Sequence, residues 1–377
     1  MKTQAVYIAV SSERDCFFEQ VWVSAWSLKY YNPQMRVCCC VDDRTYSNIQ
    51  GTYRKNALEW IDDLVLMQVP DELPNRERSR WIKTNLRELV EGDFLFIDSD
   101  TVICGTLADI DNKHGDVMMV EDYHCNVSRY HHEKLLRKQL KKISGKPYKG
   151  NHYYNSGVIL CRDTEKSHAF YALWHENWKK TLAKGVVTDQ QSLAFTVEDC
   201  DYVQPLDDIY NCQLRYSIKY LHKGVILHFF NCEYPLNTSH PFFLPSEYET
   251  VKHDGGLTED YKQRILNCKS LFEVDTCMAG GKETVFRRDY ADVLLFDLYN
   301  HNPRVYAFIN VCARACLFLQ RSMKRFLKVQ FSFDNFGCAR HSPNKFGSAL
   351  ACTKFLAKPK RASSGLTKSL FNKRIHE

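Results

Sequence analysis

Residues 94–100 read Phe94-Leu95-Phe96-Ile97-Asp98-Ser99-Asp100, four apolar residues of strand character followed by two carboxylates one residue apart. A strand that is apolar on both faces belongs inside a sheet covered on both sides, so the chain surfaces where Asp98 begins. There Asp98 and Asp100 can converge on one hard divalent cation, which takes oxygen ligands and is readily shared with substrate phosphates. The bare segment also fits a polar turn that merely ends a strand.

The flanking sequence builds a sheet around this run. Residues 5–10, 36–41 and 64–69 are short, β-rich and apolar, and 16–31 has helical length and spacing. Residues 77–91 read as a helix whose apolar stripe is Ile82, Leu86, Leu89 and Val90, with Arg80, Lys83 and Arg87 on the other side. Downstream, 117–120, 155–160 and 225–230 are strand candidates; 167–181 and 190–196 look helical, and 131–142 is a charged segment. Apolar strands alternating with helices predict an α/β fold, a mostly parallel mixed sheet flanked by helices. Ligands gather at the carboxyl ends of strands in such sheets, which is where Asp98 and Asp100 fall.

Composition narrows the class. The 377-residue chain is 44% hydrophobic with a net charge of +6, and its basic excess gathers toward the C-terminal end. These values suit a globular protein with a real core. Residues 1–10 have too short an apolar run for a signal peptide and no small-residue cleavage site. The stretch 305–319 is too short to span a bilayer and carries Arg314. The expectation is a cytoplasmic protein, peripheral to the inner face of a membrane at most. The 16 cysteines include the run Cys38-Cys39-Cys40 and no Cys-x-x-Cys pair. In that compartment they read as reduced, mostly buried small residues rather than zinc ligands.

An Asp-x-Asp behind a strand also begins phosphatases of the haloacid dehalogenase type, where Asp98 would be the nucleophile. Those enzymes usually place this strand first and later show a Gly-Asp-rich acidic loop. Here other strand candidates come earlier and no such loop is present. The chain carries instead Asn155-Ser156-Gly157-Val158, then Thr188-Asp189-Gln190-Gln191, then Leu227-His228-Phe229. In this order, from about residue 4 to about residue 235, the motifs resemble the retaining glycosyltransferases of family 8. That family has the GT-A nucleotide-sugar-binding fold and includes glycogenin and bacterial lipopolysaccharide galactosyl- and glucosyltransferases. A non-catalytic sugar- or membrane-binding protein is the reading from another functional class.

The resemblance implies metal-dependent transfer of a hexose from a nucleotide diphosphate sugar, usually a UDP-hexose, with Mn²⁺ (or Mg²⁺) as cofactor. The implied acceptor is a glycan or lipid-linked glycan, such as a lipopolysaccharide or capsule precursor. Asp98 and Asp100, with Ser99 between them, match the family's metal-binding Asp-x-Asp, and His228 matches its distant metal-ligating histidine. Trp81-Ile82-Lys83 resembles the family's aromatic-x-Arg helix, which puts Lys83 near the diphosphate with a different geometry from Arg. Asn155 lies in the motif that faces the sugar, where Gly157 permits close backbone approach. Asp189 and Gln190 match a pair in which the Asp grips sugar hydroxyls and the Gln lies near the anomeric carbon. Asp122 aligns loosely with a family Asp at the sugar or acceptor, with Glu121 as the other candidate. Ala9, Val10 and Ser11 fall at the family's uridine-binding edge. Two departures stand out. The family's acidic residue and base-stacking Tyr are replaced by Ser11-Ser12-Glu13-Arg14-Asp15 and then Phe17, and the Gly and Lys that often follow the histidine are absent. Gln190 is an amide and a poor nucleophile, so retention implies same-face attack rather than a covalent double displacement.

The resulting division is 1–240 as the catalytic GT-A domain, 241–303 as an acceptor-side connecting region, 304–330 as a basic amphipathic helix and 331–377 as an irregular basic tail. Within the helix Arg321, Lys324, Arg325 and Lys328 share one face, and Leu319, Met323 and Phe326 take the other. That pattern suits a helix lying on an anionic membrane surface. No nucleic-acid recognition motif accompanies these charges, so no nucleic-acid partner is expected.

Overall fold

The run at Phe94–Ile97 is a strand with all four residues buried, the central member of a seven-stranded sheet. The computed structural model describes residues 1–130, 133–216, 220–230, 240–271, 277–278, 286–287, 294–295, 298–299 and 302–327. Along the chain come β1 (Gln4–Ala9), α1 (Phe17–Tyr31), β2 (Val37–Asp42), α2 (Asp43–Gly51), β3 (Asp63–Met67), α3 (Asn75–Thr84), α4 (Leu86–Leu89) and β4 (Phe94–Ile97). Then come β5 (Thr101–Ile103), β6 (Val117–Glu121), α5 (Glu133–Ser144), β7 (Tyr154–Cys161), α6 (Glu165–Leu182), α7 (Asp189–Asp199), β8 (Val203–Pro205), β9 (Cys212–Gln213) and β10 (Ile226–His228). The last are α8 (Pro245–Asp254), α9 (Glu259–Leu266), β11 (Cys277–Met278), β12 (Phe286–Arg287) and α10 (Pro303–Leu327).

The sheet order is β3-β2-β1-β4-β7-β6-β8. All neighbours are parallel except at β7, which runs antiparallel to both β4 and β6. The fold is therefore the mixed, mostly parallel α/β sheet flanked by helices that the sequence predicts. Strand alternation divides the core between the two faces. Cys39 joins Tyr7, Leu95 and Leu160 on the side of α1, α8 and α9. Cys38 and Cys40 join Val6, Phe96 and Ile159 on the side of α3 and α6. The described cysteines are free thiols, most of them buried.

One detail differs from the sequence reading. The helix expected over 77–91 is broken at Asn85, which has φ −106° and ψ 10°. Its side-chain amide donates to Trp81 O at 2.9 Å, the local competition by which Asn interrupts helices. On the basic side of this segment Lys83 and Arg87 are buried, 4% and 2% exposed. Arg87 donates to Gly92 O at 2.8 Å, and Lys83 turns into the site described below. Arg78, buried, donates to Asp42 at 2.5 Å and also to Asp43, which ties α3 to the end of β2. Removing one partner of such a buried pair costs about 3–5 kcal/mol.

Residues Met1–Ala307 form one compact unit and Phe308–Glu377 a second. In the second, Phe308, Val311, Phe318 and Leu319 of α10 are exposed. The side chains of the basic face expected at Arg321, Lys324, Arg325 and Lys328, and the whole 331–377 tail, lie outside the described residues. Among the described residues no helix is long and apolar enough to cross a membrane.

Candidate active site

The reversal of β7 assembles the site. Six strands of the sheet share one direction, so only a reversed strand can bring its N-terminal residues to their carboxyl edge. The β7 register pairs Val158 with Ile97 and Tyr154 with Glu121. Asn155, Ser156 and Gly157 thereby lie between Asp98, just past β4, and Asp122, just past β6. Asp98 N donates to Gly157 O at 2.8 Å. A second, three-stranded sheet brings the histidine: β5 pairs antiparallel with β10, opposing Thr101 to His228. Phe229 N then donates to Asp100 O at 3.0 Å.

One ligand atom from each of Asp98, Asp100 and His228 falls within 4.8 Å of the others. His228 Nε2 is 3.1 Å from Asp100 Oδ1. The orientation of the ring is set by its neighbours. Asn155 Oδ1 accepts from Gly157 N and from Asn211 Nδ2, each at 2.9 Å. With its amide nitrogen so committed, Asn211 presents Oδ1 to His228 Nδ1 at 2.9 Å. Nδ1 therefore donates to Asn211, and Nε2 is aimed at Asp100. A ring nitrogen and a carboxylate oxygen at this range share a cation, either a proton or a metal ion. The mixed carboxylate and imidazole set can hold a divalent cation. Burial works against the charge of Asp100, but His228 and Lys83 overcome it and hold the carboxyl below its ordinary range. Ser99 points elsewhere, its Oγ donating to Gln20 Oε1 at 3.0 Å.

The same chain of amides reaches a further carboxylate. Asn155 Nδ2 donates to Asp122 Oδ1 at 3.1 Å, and Tyr130 Oη donates to Asp122 Oδ2 at 3.2 Å. Burial pushes the Asp122 carboxyl up to about 6, against these hydrogen bonds, which favour the anion. Glu121 is held apart from this relay by His152, 2.7 Å away.

Lys83 Nζ lies 3.1 Å from Asp98 Oδ1, 3.2 Å from Ser156 Oγ and 3.2 Å from Asp189 Oδ2. Asp189 also accepts from Arg80 Nε at 3.2 Å and from Ser156 Oγ at 2.8 Å. Burial opposes ionisation of Asp189, yet Lys83 and Arg80 prevail and hold its pKa well below the carboxylate range. Its oxygens are thus committed to protein donors. Gln190 donates from Nε2 to Tyr154 O, and its Oε1 accepts from Ser156 N at 3.4 Å, which fixes the amide against the start of β7.

Beyond β1, Val10, Ser11, Ser12, Arg14, Arg44 and Thr45 line a cavity of about 350 Å³. Ala9 lies in the core instead. Asp15 takes the place of a free acidic group in this loop, accepting from Ser11 Oγ at 2.5 Å and Ser12 Oγ at 2.7 Å. An aromatic wall extends from the histidine. Phe230 stacks on His228 at 3.9 Å, Tyr216 contacts Phe230 at 5.2 Å, and Tyr123 stacks on Tyr216 at 3.7 Å. The described non-glycine residues with positive φ are Tyr123, His124 and Phe230. All three belong to this region, and such strain concentrates at ligand sites. Sequence reasoning missed Asn211, Arg80 and this wall. Asn211 carries no motif of its own; only its contact with His228 marks it.

The fold is similar to a galactosyltransferase, LgtC, solved with donor and acceptor sugar analogs, at 12% identity over 70% of this chain and 100% of that one, TM-score 0.46. It is also similar to the glycosyltransferase GlyE of Streptococcus pneumoniae TIGR4, at 16% identity over 72% of this chain and 66% of that one, TM-score 0.41. A third likeness is to mouse xyloside xylosyltransferase 1, at 11% identity over 63% of this chain and 100% of that one, TM-score 0.42. No curated protein sequence matches the chain. The nucleotide-diphospho-sugar transferase family model matches residues 37–256, more than half of the chain and the whole segment that carries the carboxylates, the relay and His228, and the protein belongs to that family of glycosyltransferases.

Proposed function

We propose that this glycosyltransferase moves a hexose from a UDP-sugar to a glycan or lipid-linked glycan with retention of configuration, using Mn²⁺ or Mg²⁺ held by Asp98, Asp100 and His228. The observation that carries this reading is the convergence of those three ligand atoms within 4.8 Å, with His228 Nε2 aimed by the contact of Asn211 with Nδ1. A cation bound there supplies Lewis-acid stabilisation of the diphosphate leaving group. Family membership sets aside the phosphatase and the non-catalytic alternatives.

The chain's own groups then have distinct tasks. The cavity past β1 has the size of a small-ligand site, and Val10 and Ser11 on its wall suit it to the nucleoside. Lys83 is a buried point charge beside Asp98, set to neutralise the diphosphate. Gln190, fixed by the backbone of β7, lies at the anomeric carbon but as an amide cannot form a glycosyl ester. The C1–O bond to the diphosphate therefore breaks as the acceptor hydroxyl attacks from the same face, and the departing phosphate oxygen takes the hydroxyl proton. Asp122, oriented by Asn155, accepts a hydrogen bond from a sugar hydroxyl. Asp189 acts at one remove, holding Lys83 and Arg80. The aromatic wall at Tyr216 and Phe230 offers a stacking surface for an acceptor sugar, which supports a glycan as the acceptor class.

Incubation with a panel of nucleotide sugars and Mn²⁺ tests this reading. Release of nucleoside diphosphate from one UDP-hexose, raised by an acceptor glycan, is expected; no release from any sugar nucleotide would refute it. A second expectation concerns pH. If the Asp122 anion holds the sugar, log(kcat/KM) rises with pH through about 6 and then levels. Asp122→Asn should lose activity and also lose that limb. A variant that keeps the limb would place the titration on another group.

A further inference from the structure

The excursion between β6 and β7 leaves and rejoins the sheet beside the site: Asp122 N donates to Tyr153 O at 2.8 Å, and Val127 N donates to Asn151 O at 2.9 Å. It contains α5. From Glu133 to Lys149 the chain carries seven basic residues and one acidic one, a net charge equal to the +6 of the entire chain. The inner face of α5 is apolar. Leu136 and Leu140 pack with Val127, Tyr148 and Tyr153. Arg137 is also turned inward, donating to Glu133 at 3.0 Å and to Tyr148 O at 2.8 Å.

The outer face is different. Lys134, Lys138, Lys141 and Lys142 recur at i, i+4, i+7 and i+8, so they form one stripe, and all four are exposed. Leu135 stands beside them, 40% exposed. Among the described residues, none of these lysines has a carboxylate within 4.0 Å, although Arg137 on the same helix is paired. A solvated face usually intersperses both signs; this one carries one sign only. The lysines stand on an outward helix face rather than around a cavity. That arrangement matches a continuous sheet of negative charge better than a single anion, and Leu135 adds an apolar side chain at headgroup depth.

We propose that the lysine face of α5 docks on an anionic lipid surface. The docked chain would hold the Asp122 side of the site at the membrane, where a lipid-linked acceptor is presented. That last step rests on the glycosyltransferase reading, whereas the docking itself does not.

The test is sedimentation of the full chain with vesicles of phosphatidylcholine alone and of phosphatidylcholine mixed with phosphatidylglycerol. Wild type should partition onto the anionic vesicles only and be released by salt near 1 M, where charges are screened within about 3 Å. K134E/K138E/K141E/K142E should lower that partition by more than about a hundredfold, on the scale of surface potential acting on each lysine. The matching four-lysine-to-glutamine variant should lose less, and it decides the matter if charge reversal impairs folding. A third variant, with Arg321, Lys324, Arg325 and Lys328 changed to Glu, reports any separate contribution from α10. Undiminished binding of the α5 variants would overturn the proposal, whatever the α10 variant does. So would a wild type that ignores anionic vesicles, or one that binds heparin in their place. Nucleoside diphosphate release, measured without vesicles, should be equal in wild type and the α5 variants; its absence in both would count against the proposed transfer and leave the docking result standing.

Discussion

Asp100→Ala is expected to abolish donor turnover while leaving the fold intact. Three observations set the size of the effect. Asp100 Oδ1 is the carboxylate atom facing His228 Nε2, at 3.1 Å. The Asp100 backbone carbonyl accepts from Phe229 N, so the β5–β10 pairing survives loss of the side chain. Asp100 is also the group whose anion His228 and Lys83 favour against burial. Alanine therefore removes one of three cation ligands and leaves the other two in place. Loss of metal-assisted leaving-group stabilisation should cost roughly a thousandfold or more in kcat/KM, as expected where a principal charge-stabilising group is removed. The melting temperature should change little. Full activity in this variant, or of the wild type in excess chelator, would rule out a role for the metal.

Gly157→Ala should be nearly as damaging, although alanine adds only a methyl group. That Cβ would lie 2.4 Å from His228 Cε1, 2.8 Å from Nδ1 and 2.9 Å from Asn155 Oδ1. The imidazole cannot readily yield, since Asn211 holds its Nδ1 and Phe230 stacks on its face. A shifted ring misdirects Nε2, and a shifted Asn155 releases Asp122. We expect a loss of about 10²–10³ in kcat/KM, with about 1–3 kcal/mol of destabilisation from overpacking. The Mn²⁺ concentration for half-maximal activity should also rise. Near-wild-type kinetics with an unchanged Mn²⁺ requirement would mean that the ring has room the structure does not display. The glycine was legible in the sequence as a point of close approach. Its partner was not: the backbone makes way for the histidine and for Asn155.

That contrast recurs through the molecule. Phe94–Ile97 was readable to the residue, because a strand at the centre of a sheet must be apolar on both faces. The direction of β7 was not, because pairing sense leaves no trace in composition; yet that reversal brings Asn155 between Asp98 and Asp122. Periodicity put Arg80, Lys83 and Arg87 opposite the apolar stripe but does not distinguish water from a polar site. The resemblance placed Lys83 near the diphosphate, and Lys83 faces Asp98 and Asp189. Asn85 broke a helix by a side-chain bond that propensity alone underweights. Asn211 was invisible because its role exists only in its contacts. The charge of 131–142 was noted in the sequence, but its segregation onto one exposed face required the burial of Leu136 and Leu140.

The clamp of Asp98, Asp100 and His228 on a diphosphate, through a divalent cation, is tested most directly by calorimetric titration of UDP into wild type and Asp100→Ala, with and without Mn²⁺. Mn²⁺ should tighten UDP binding to the wild type by at least about tenfold, some 1.4 kcal/mol, and should not tighten binding to the variant. Equal UDP affinity with and without Mn²⁺ in the wild type would contradict the clamp.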